Sequence, residues 1–266
     1  MRVVPISNQK GGVAKTTTAF QMASGLSRLG YRVLVLDVDP QVSMSILCGV
    51  ADLESGDEEY GPTLYDLLTG EPKQLKTKDC IRNVEGLFDI IPGSRLLAMA
   101  DQKFVKPSRE FMLKRKLSEI KDDYDFVIID TPPALGVLTF NSYVAADDMI
   151  IPAKAELLSL VGIRQLSEMV DEIKNDLNEK LTVRGILFTL YSTRTNLSNA
   201  MTETGEEMSK AIGAPVFNTK IRTTVKVGEA QAFQKDLFEY APDSTAANDY
   251  KEFVNEYLED IGYGKE

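Results

Sequence analysis

The sequence predicts an α/β fold, a doubly wound and mostly parallel central sheet flanked by helices. Three observations carry this expectation. Short apolar runs such as Val33 to Leu36 and Phe126 to Ile129 are strand-sized and unbroken, the pattern of strands buried on both faces. Helix-length segments alternate with them along the chain. The first strand runs into a glycine-bearing loop that opens a helix, so the chain starts as a βαβ unit with an expected right-handed crossover.

The elements follow in order. Val3 to Ser7 reads as strand one. Pro5 is awkward there, because it has no ladder donor, so a lost hydrogen bond or a bulge is expected. Asn8 to Lys15 is a loop, Thr16 to Leu29 a helix stopped by Gly30, and Arg32 to Asp37 strand two. Residues 51–62 are acidic, carry glycine and proline, and read as an exposed loop. Thr63 to Leu68 is a short helix with Thr63 as N-cap. Leu87 to Ile91 is a strand ended by Pro92-Gly93, Ser108 to Lys121 an amphipathic helix, and Phe126 to Asp130 a central strand. Met149 to Pro152 (strand), Leu157 to Leu177 (helix), Val183 to Leu190 (strand), Leu197 to Ile212 (helix) and Val216 to Thr219 (strand) continue the alternation. Ser244 to Ile261 closes it as a helix.

With 266 residues the chain can bury a large core. It shows no repeats, low-complexity tracts or linkers, so residues 1–266 read as a single domain. Apolar and charged shares of 43% and 26% are those of a soluble globular protein. No apolar run is long enough to span a membrane. No signal peptide is expected, because Lys10 and the glycine loop interrupt its would-be apolar region. Cys48 and Cys80 are too few and too far apart for a metal cluster or a disulfide framework, and read as thiols of a reducing cytoplasm. The absence of histidine excludes a Ser-His-Asp mechanism or a histidine metal site. A net charge of −10 argues, taken alone, against nucleic-acid binding, although it leaves room for a local basic face.

Chemistry concentrates in Lys10-Gly11-Gly12-Val13-Ala14-Lys15-Thr16-Thr17. Gly11 and Gly12 allow a tight turn that aims successive N–H groups at one anion. Lys15 stands where a lysine reaches β- and γ-phosphates, and Thr16 offers a hydroxyl to Mg²⁺. The helix that begins here adds its N-terminal partial charge. Against the pattern G-x-x-x-x-G-K-[ST], the glycine positions fall on Gln9 and Ala14. The methyl of Ala14 is expected to crowd a loop that needs an unusual backbone angle there. Asp130, at the C-terminal tip of an apolar strand, lies on the edge where open α/β sheets bind ligands, and reads as a Mg²⁺ holder through a water. Asp37 and Asp39 follow strand two, spaced to point the same way.

This loop resembles the deviant Walker A motif (K-G-G-x-x-K-[ST]) of the ParA/MinD ATPases. Val33 to Gln41 resembles that family's second strand and first switch, and Asp125 to Pro133 its Walker B strand and second switch. The likeness runs from residue 1 to about residue 255 and is nearest to the short ParA/Soj type of DNA-segregation ATPase. It implies an ATP hydrolase with ATP and Mg²⁺ as cofactors. It gives Lys10, Lys15 and Asp39 catalytic roles and residues Lys10 to Thr17 the nucleotide. Asp39 orients the attacking water near a Mg²⁺ held by Thr16, Asp39 and Asp130, while Asp37 is structural or an outer ligand. Lys10 acts in trans, from one subunit of an ATP-bridged homodimer onto the other's nucleotide.

The resemblance also implies binding to nonspecific DNA. Thr189 to Thr195 is similar to a segment whose arginine contacts phosphates, which points to Arg194. Ile221 to Ala230 is similar to a segment that usually reads I-P-R-N-V-R-x-x-E-A. Lys226 falls on its second arginine, Arg222 replaces its proline and Thr223 its first arginine. The implied partner is a ParB-like centromere-binding protein with a basic N-terminal segment, and the implied place is the cytoplasm, on the nucleoid. The chain opens on its first strand, so no N-terminal helix-turn-helix is expected. From Tyr250 to Glu266, two lysines face five acids, which disfavours a MinD-like membrane helix. A MinD-like or cargo-positioning ATPase is the competing reading. A dinucleotide-binding oxidoreductase lacks its G-x-G-x-x-G, and two isolated cysteines make a metal-cluster scaffold improbable.

Overall fold

A computed structural model describes residues 1–51, 61–70, 75–84, 86–154, 156–192 and 198–263. The chain runs β1 (Arg2–Ile6), α1 (Lys15–Arg28), β2 (Val33–Asp37), α2 (Ser43–Leu47), α3 (Leu64–Thr69), β3 (Arg82–Val84), β4 (Phe88–Ile91), α4 (Ala100–Lys103) and α5 (Met112–Ser118). It continues through β5 (Phe126–Asp130), α6 (Val137–Ala145), β6 (Asp148–Ala153), α7 (Leu157–Asp176), β7 (Thr182–Tyr191), α8 (Ser198–Ile212) and β8 (Val216–Arg222). The helices α9 (Val225–Ala232), α10 (Leu237–Tyr240) and α11 (Thr245–Asp260) complete it.

The eight strands form one sheet in the order β3-β4-β2-β5-β1-β6-β7-β8. Every neighbouring pair is parallel except β3 with β4. This is the expected doubly wound architecture with one antiparallel edge strand added. Alternation along β5 shows why both faces need helices. Phe126 and Ile128 pack into a core with Phe20, Leu26, Phe253 and Tyr257 of α1 and α11. Val127 and Ile129 point the other way, into a core with Leu64, Leu113 and Leu117. A third cluster joins Ile151 and Ile186 to Ile163, Leu166 and Ile173 of α7.

Pro5 does not bulge the first strand. Its register against β5 runs unbroken from Arg2↔Phe126 to Ile6↔Asp130. The missing donor faces β6 instead, the side to which Ser7 N–H donates (Ile150 O, 3.0 Å) and from which Asp147 N–H reaches Val3 O (2.9 Å). The helix expected over 108–121 is shorter. Ser108 has φ 61°, Arg109–Phe111 is a 3-10 turn, and α5 covers only Met112–Ser118. Helix α6 has no counterpart in the sequence reading, because seven of its nine residues are buried and leave no polar stripe. The short helices α2, α9 and α10 also escaped it. The acidic stretch 51–62 lies mostly outside the described residues.

At the edge remote from the loop, Asp148 is fully buried and gathers four elements. Its carboxylate accepts from Arg2 of β1, from Arg184 Nε of β7 (2.5 Å) and from Tyr257 Oη of α11 (2.9 Å). Asp148→Ala should strand the Arg2 guanidinium and the buried Tyr257 phenol, and leave Arg184 with Asp260 alone. We expect a loss of about 3 kcal/mol in urea unfolding, with no change in nucleotide affinity at the far edge of the sheet.

Candidate nucleotide site

The loop between β1 and α1 is held to the C-terminal edge of the sheet from several strands. Asn8 Nδ2 donates to Pro152 O (2.7 Å) and Asn8 Oδ1 accepts from Lys10 N–H (2.9 Å). Thr189 Oγ1 of β7 donates to Val13 O (3.0 Å). Below the loop, Thr131 Oγ1 bonds Ile6 O and Ser7 Oγ (both 2.9 Å), and Ser7 Oγ meets Tyr143 Oη (2.6 Å). Such an over-determined loop can keep a strained residue. Ala14 has φ 61°, the left-handed region, as its place in the loop led one to expect.

Helix α1 starts directly after Ala14 with no side-chain cap and no acid in its first turn. Its first N–H groups are therefore left for a ligand. By contrast, Thr224, Asp236 and Ser244 cap α9, α10 and α11. In front of α1 lies a cleft of about 460 Å³, lined by Gly11, Gly12, Ala14, Lys15, Thr16 and Thr17 and by Asp39 and Ser43 across from them. Lys15 is buried and its Nζ donates to Lys10 O (3.4 Å). Burial pulls its pKa down, while the charges of Asp130 and Asp39 push it up.

Parallel register makes Asp37 and Asp130 partners on neighbouring strands. Both are 0% exposed. Asp37 Oδ2 accepts from Ser45 N–H (2.8 Å) and Ser45 Oγ (2.6 Å), while Ser45 Oγ accepts from Gly93 N–H (2.9 Å). A side chain at Gly93 would run into Asp37, with a Cβ 2.9 Å from its carbonyl oxygen. Asp37 thus anchors α2. Its Oδ1 and both oxygens of Asp130 are buried without a hydrogen bond. Burial leaves the Asp37 carboxyl pushed up to about 6, with the Ser45 hydrogen bonds opposing the rise and the nearby charge of Asp39 adding to it. Asp130 is driven well above the carboxylate range by burial first and Asp37 second. The Thr16 hydroxyl and Lys15 pull the other way, the hydroxyl without satisfying either oxygen.

Orphaned acid oxygens beside Lys15 and Thr16 fit a hydrated Mg²⁺, which keeps several waters and needs few carboxylates. Among the described residues no three Asp, Glu or Cys side chains converge as a ready-made metal cage. Asp39 lines the cleft, and its Oδ1 accepts from Gln41 N–H (2.9 Å). Lys10 is the outlier of the loop. Its Nζ reaches α7, bonding Glu156 Oε2 (2.8 Å) and Ser159 Oγ (3.5 Å). The residues Gln231 and Gln234 also line the cleft and escaped the sequence reading, because neither belongs to the loop or the switches.

The expected DNA contacts are placed unevenly. Arg194 lies outside the described residues. Arg222, at the tip of β8 opposite Tyr191, binds Asp249 through Nε (3.0 Å) and Nη2 (2.5 Å). Lys226 pairs with Glu229 on the surface of α9 (2.7 Å).

This fold and this loop define a P-loop enzyme that hydrolyses nucleoside triphosphates. The family model described as AAA domain matches residues 1–183. The chain is 37% identical over 258 residues to the sporulation initiation inhibitor protein Soj of Bacillus subtilis (strain 168), covering 96% of this chain and 97% of that protein. It is 38% identical over 255 residues to the chromosome-partitioning ATPase Soj of Treponema pallidum (strain Nichols), covering 94% of each. Among solved structures, cobyrinic acid a,c-diamide synthase from Mycobacterium smegmatis, with bound ADP and magnesium, superposes with TM-score 0.83 at 30% identity, over 100% of this chain and 97% of that one. The chain belongs to the Soj/ParA family of partitioning ATPases.

The acid pair sets a pH prediction. Its folded pKa values lie above the unfolded 3.8, so the folded state holds more protons and stability falls as pH rises, from about 4 through 6 for Asp37 and further for the more strongly raised Asp130. Asp130→Asn removes the larger burden. In EDTA, thermal unfolding should show the variant stabilised at pH 8, on the order of 1–3 kcal/mol, and less so at pH 5. Magnesium-dependent stabilisation by nucleotide should vanish at both.

Proposed function

We propose that this chain is an ATP-dependent DNA-partition ATPase that works as a nucleotide-gated dimer. ATP binds on the loop Lys10 to Thr17, with Lys15 on the β- and γ-phosphates. Thr16, Asp39 and Asp130 would hold Mg²⁺, which would neutralise phosphate charge when bound. Asp39 orients the attacking water. Lys10 completes charge neutralisation on the nucleotide of the partner subunit.

The observation that carries this reading is the side chain of Lys10. A second loop lysine meant for its own nucleotide would sit in its own cleft. Here it is bound on α7 by a half-exposed pair with Glu156. An exposed pair of this kind is worth little, typically below about 1 kcal/mol. It can be exchanged for a triphosphate without a large penalty. Hydrolysis removes the γ-phosphate that bridges the subunits, so the dimer is a switch.

In the ATP dimer, Arg194, Arg222 and Lys226 are assigned to nonspecific DNA. Two copies of such phosphate contacts give salt-sensitive binding without sequence preference. A ParB-like partner with a basic segment suits the net charge of −10 and would stimulate hydrolysis and release. The membrane alternative finds little support in α11. Its apolar residues Phe253, Val254, Tyr257 and Leu258 are all spent in the core. No described helix is long and apolar enough to cross a bilayer.

Sedimentation with ADP, with ATP and with fluorescent nonspecific DNA tests the switch. The wild type should dimerise and carry DNA only with ATP, and Lys10→Ala should stay monomeric while still binding ATP. A wild type that stays monomeric would overturn the dimer. For the DNA face, Arg194→Ala with Lys226→Ala should weaken ATP-dependent DNA binding at least tenfold and flatten its salt dependence. Unchanged binding would remove these residues from the interface.

A further inference from the structure

Charge is laid out unevenly in this chain. Between positions 103 and 121, seven basic residues stand against only Glu110 and Glu119, in a protein of net charge −10. Both acids are already engaged, Glu110 by Arg109 (3.4 Å) and Glu119 by Lys116 (3.3 Å). Five cations remain. Lys103 ends α4, Lys106 lies in the loop after it, Lys114 and Arg115 belong to α5, and Lys121 sits in the turn that follows. All five are exposed. None of them forms an ion pair with a described acid. Arg115 Nη2 donates to Ser108 O (3.3 Å), which ties the loop of Lys106 to the side of the helix.

Packing explains why the cations face out. Leu113, Leu117 and Ile120 share a core with Val127 and Ile129 of β5. Positions 114, 115, 118 and 121 therefore turn to solvent. This stripe is remote from the cations near β8. Helix α9 packs through Ala230 into the core on the other face of the sheet, with Phe126 and Ile128. Strands β5 and β8 are also four steps apart in the sheet, roughly 19 Å at ordinary strand spacing. Two surfaces turned away from each other cannot both lie on one straight duplex segment.

We infer that the α5 stripe is a second contact face for the phosphate backbone of double-stranded DNA, so that the ATP-bound protein holds two duplex segments at once. The choice of DNA rests on the proposed function, whereas the face itself rests on the five cations. Lysine and arginine set against phosphates give sequence-independent, salt-sensitive binding. The α5 cations can meet phosphates directly, whereas Arg222 and Lys226 must first leave an acid. A protein partner draws on apolar or aromatic anchors, and a membrane-surface helix needs an apolar face to insert. The apolar residues Leu113, Leu117 and Ile120 are buried, and Val105 is the one large apolar side chain exposed between 103 and 121.

Beads carrying one duplex, loaded with protein and Mg-ATP and then offered a fluorescent second duplex, read the two faces separately. The wild type should load and then capture the second duplex. A variant with Lys114→Gln, Arg115→Gln and Lys121→Gln should load within about threefold of the wild type, yet capture about tenfold less second duplex. The salt slope of capture should fall by about three, one for each lost phosphate contact. Exposed side chains without ion pairs should leave the unfolding temperature unchanged. Undiminished capture by the variant would overturn the second face, and so would equal losses in loading and capture, the mark of a general loss of charge. A wild type that loads but captures nothing also overturns it and leaves the DNA reading standing. A wild type that does not load overturns both. Vesicles of anionic lipid form the last arm. Co-sedimentation that the three substitutions abolish, without duplex capture, would give the stripe to a membrane instead.

Discussion

Two carboxylates forced side by side are the constraint on which this site is built. Parallel pairing of β2 and β5 makes Asp37 and Asp130 register partners at one sheet edge, and the helices on both faces bury them completely. Three of their four oxygens have no protein donor. Such groups are costly in the free chain and gain most from a bound cation. A ligand that supplies that cation and its phosphates adds stability by mass action as it binds. The same arrangement fixes α2, because the one satisfied oxygen is held by Ser45 at the start of that helix. The acid pair thus connects the sheet edge at Asp130 to the segment that carries Asp39.

Around this pair the architecture separates rigid from strained parts. Hydrogen bonds from β6, β7 and the Ser7–Thr131–Tyr143 chain pin the loop from beneath. Five described non-glycine residues have left-handed φ; Ala14 and Gln234 among them line the cleft, and Val42 precedes its lining residue Ser43. Val42 is β-branched and immediately precedes α2, where such a conformation is a marked outlier. Strain gathered around a ligand site on a rigid base is the arrangement expected of a segment with two states.

Charge is handled in a related way. Lys10, Arg222 and Lys226, which the proposed function turns toward other molecules, each have an acid of their own chain as partner. The pairs of Lys10 and Lys226 are exposed, where their net worth is small, whereas the Asp249 carboxylate under Arg222 is buried. An exposed pair of this kind costs little to exchange, even in a chain of net charge −10.

The sequence alone determined the doubly wound sheet, the loop and the tip aspartates. Each rests on local rules: unbroken apolar strands, paired glycines, a lysine-threonine step and an acid where a strand ends. The left-handed Ala14 was legible for the same reason. Contacts between distant segments were not. Nothing local announces that Pro5 would turn its missing donor toward β6, that buried α6 would be a helix without a polar stripe, or that Ser108 would shorten the helix after it. Only the tertiary structure decided that Asp37 anchors α2, that Arg222 faces Asp249, and that Gln231 and Gln234 bond Thr17 and Ile46, 214 and 188 positions away in the chain. Local patterns fix which backbone a segment prefers. Register and packing fix which side chains meet, and a site is made of meetings.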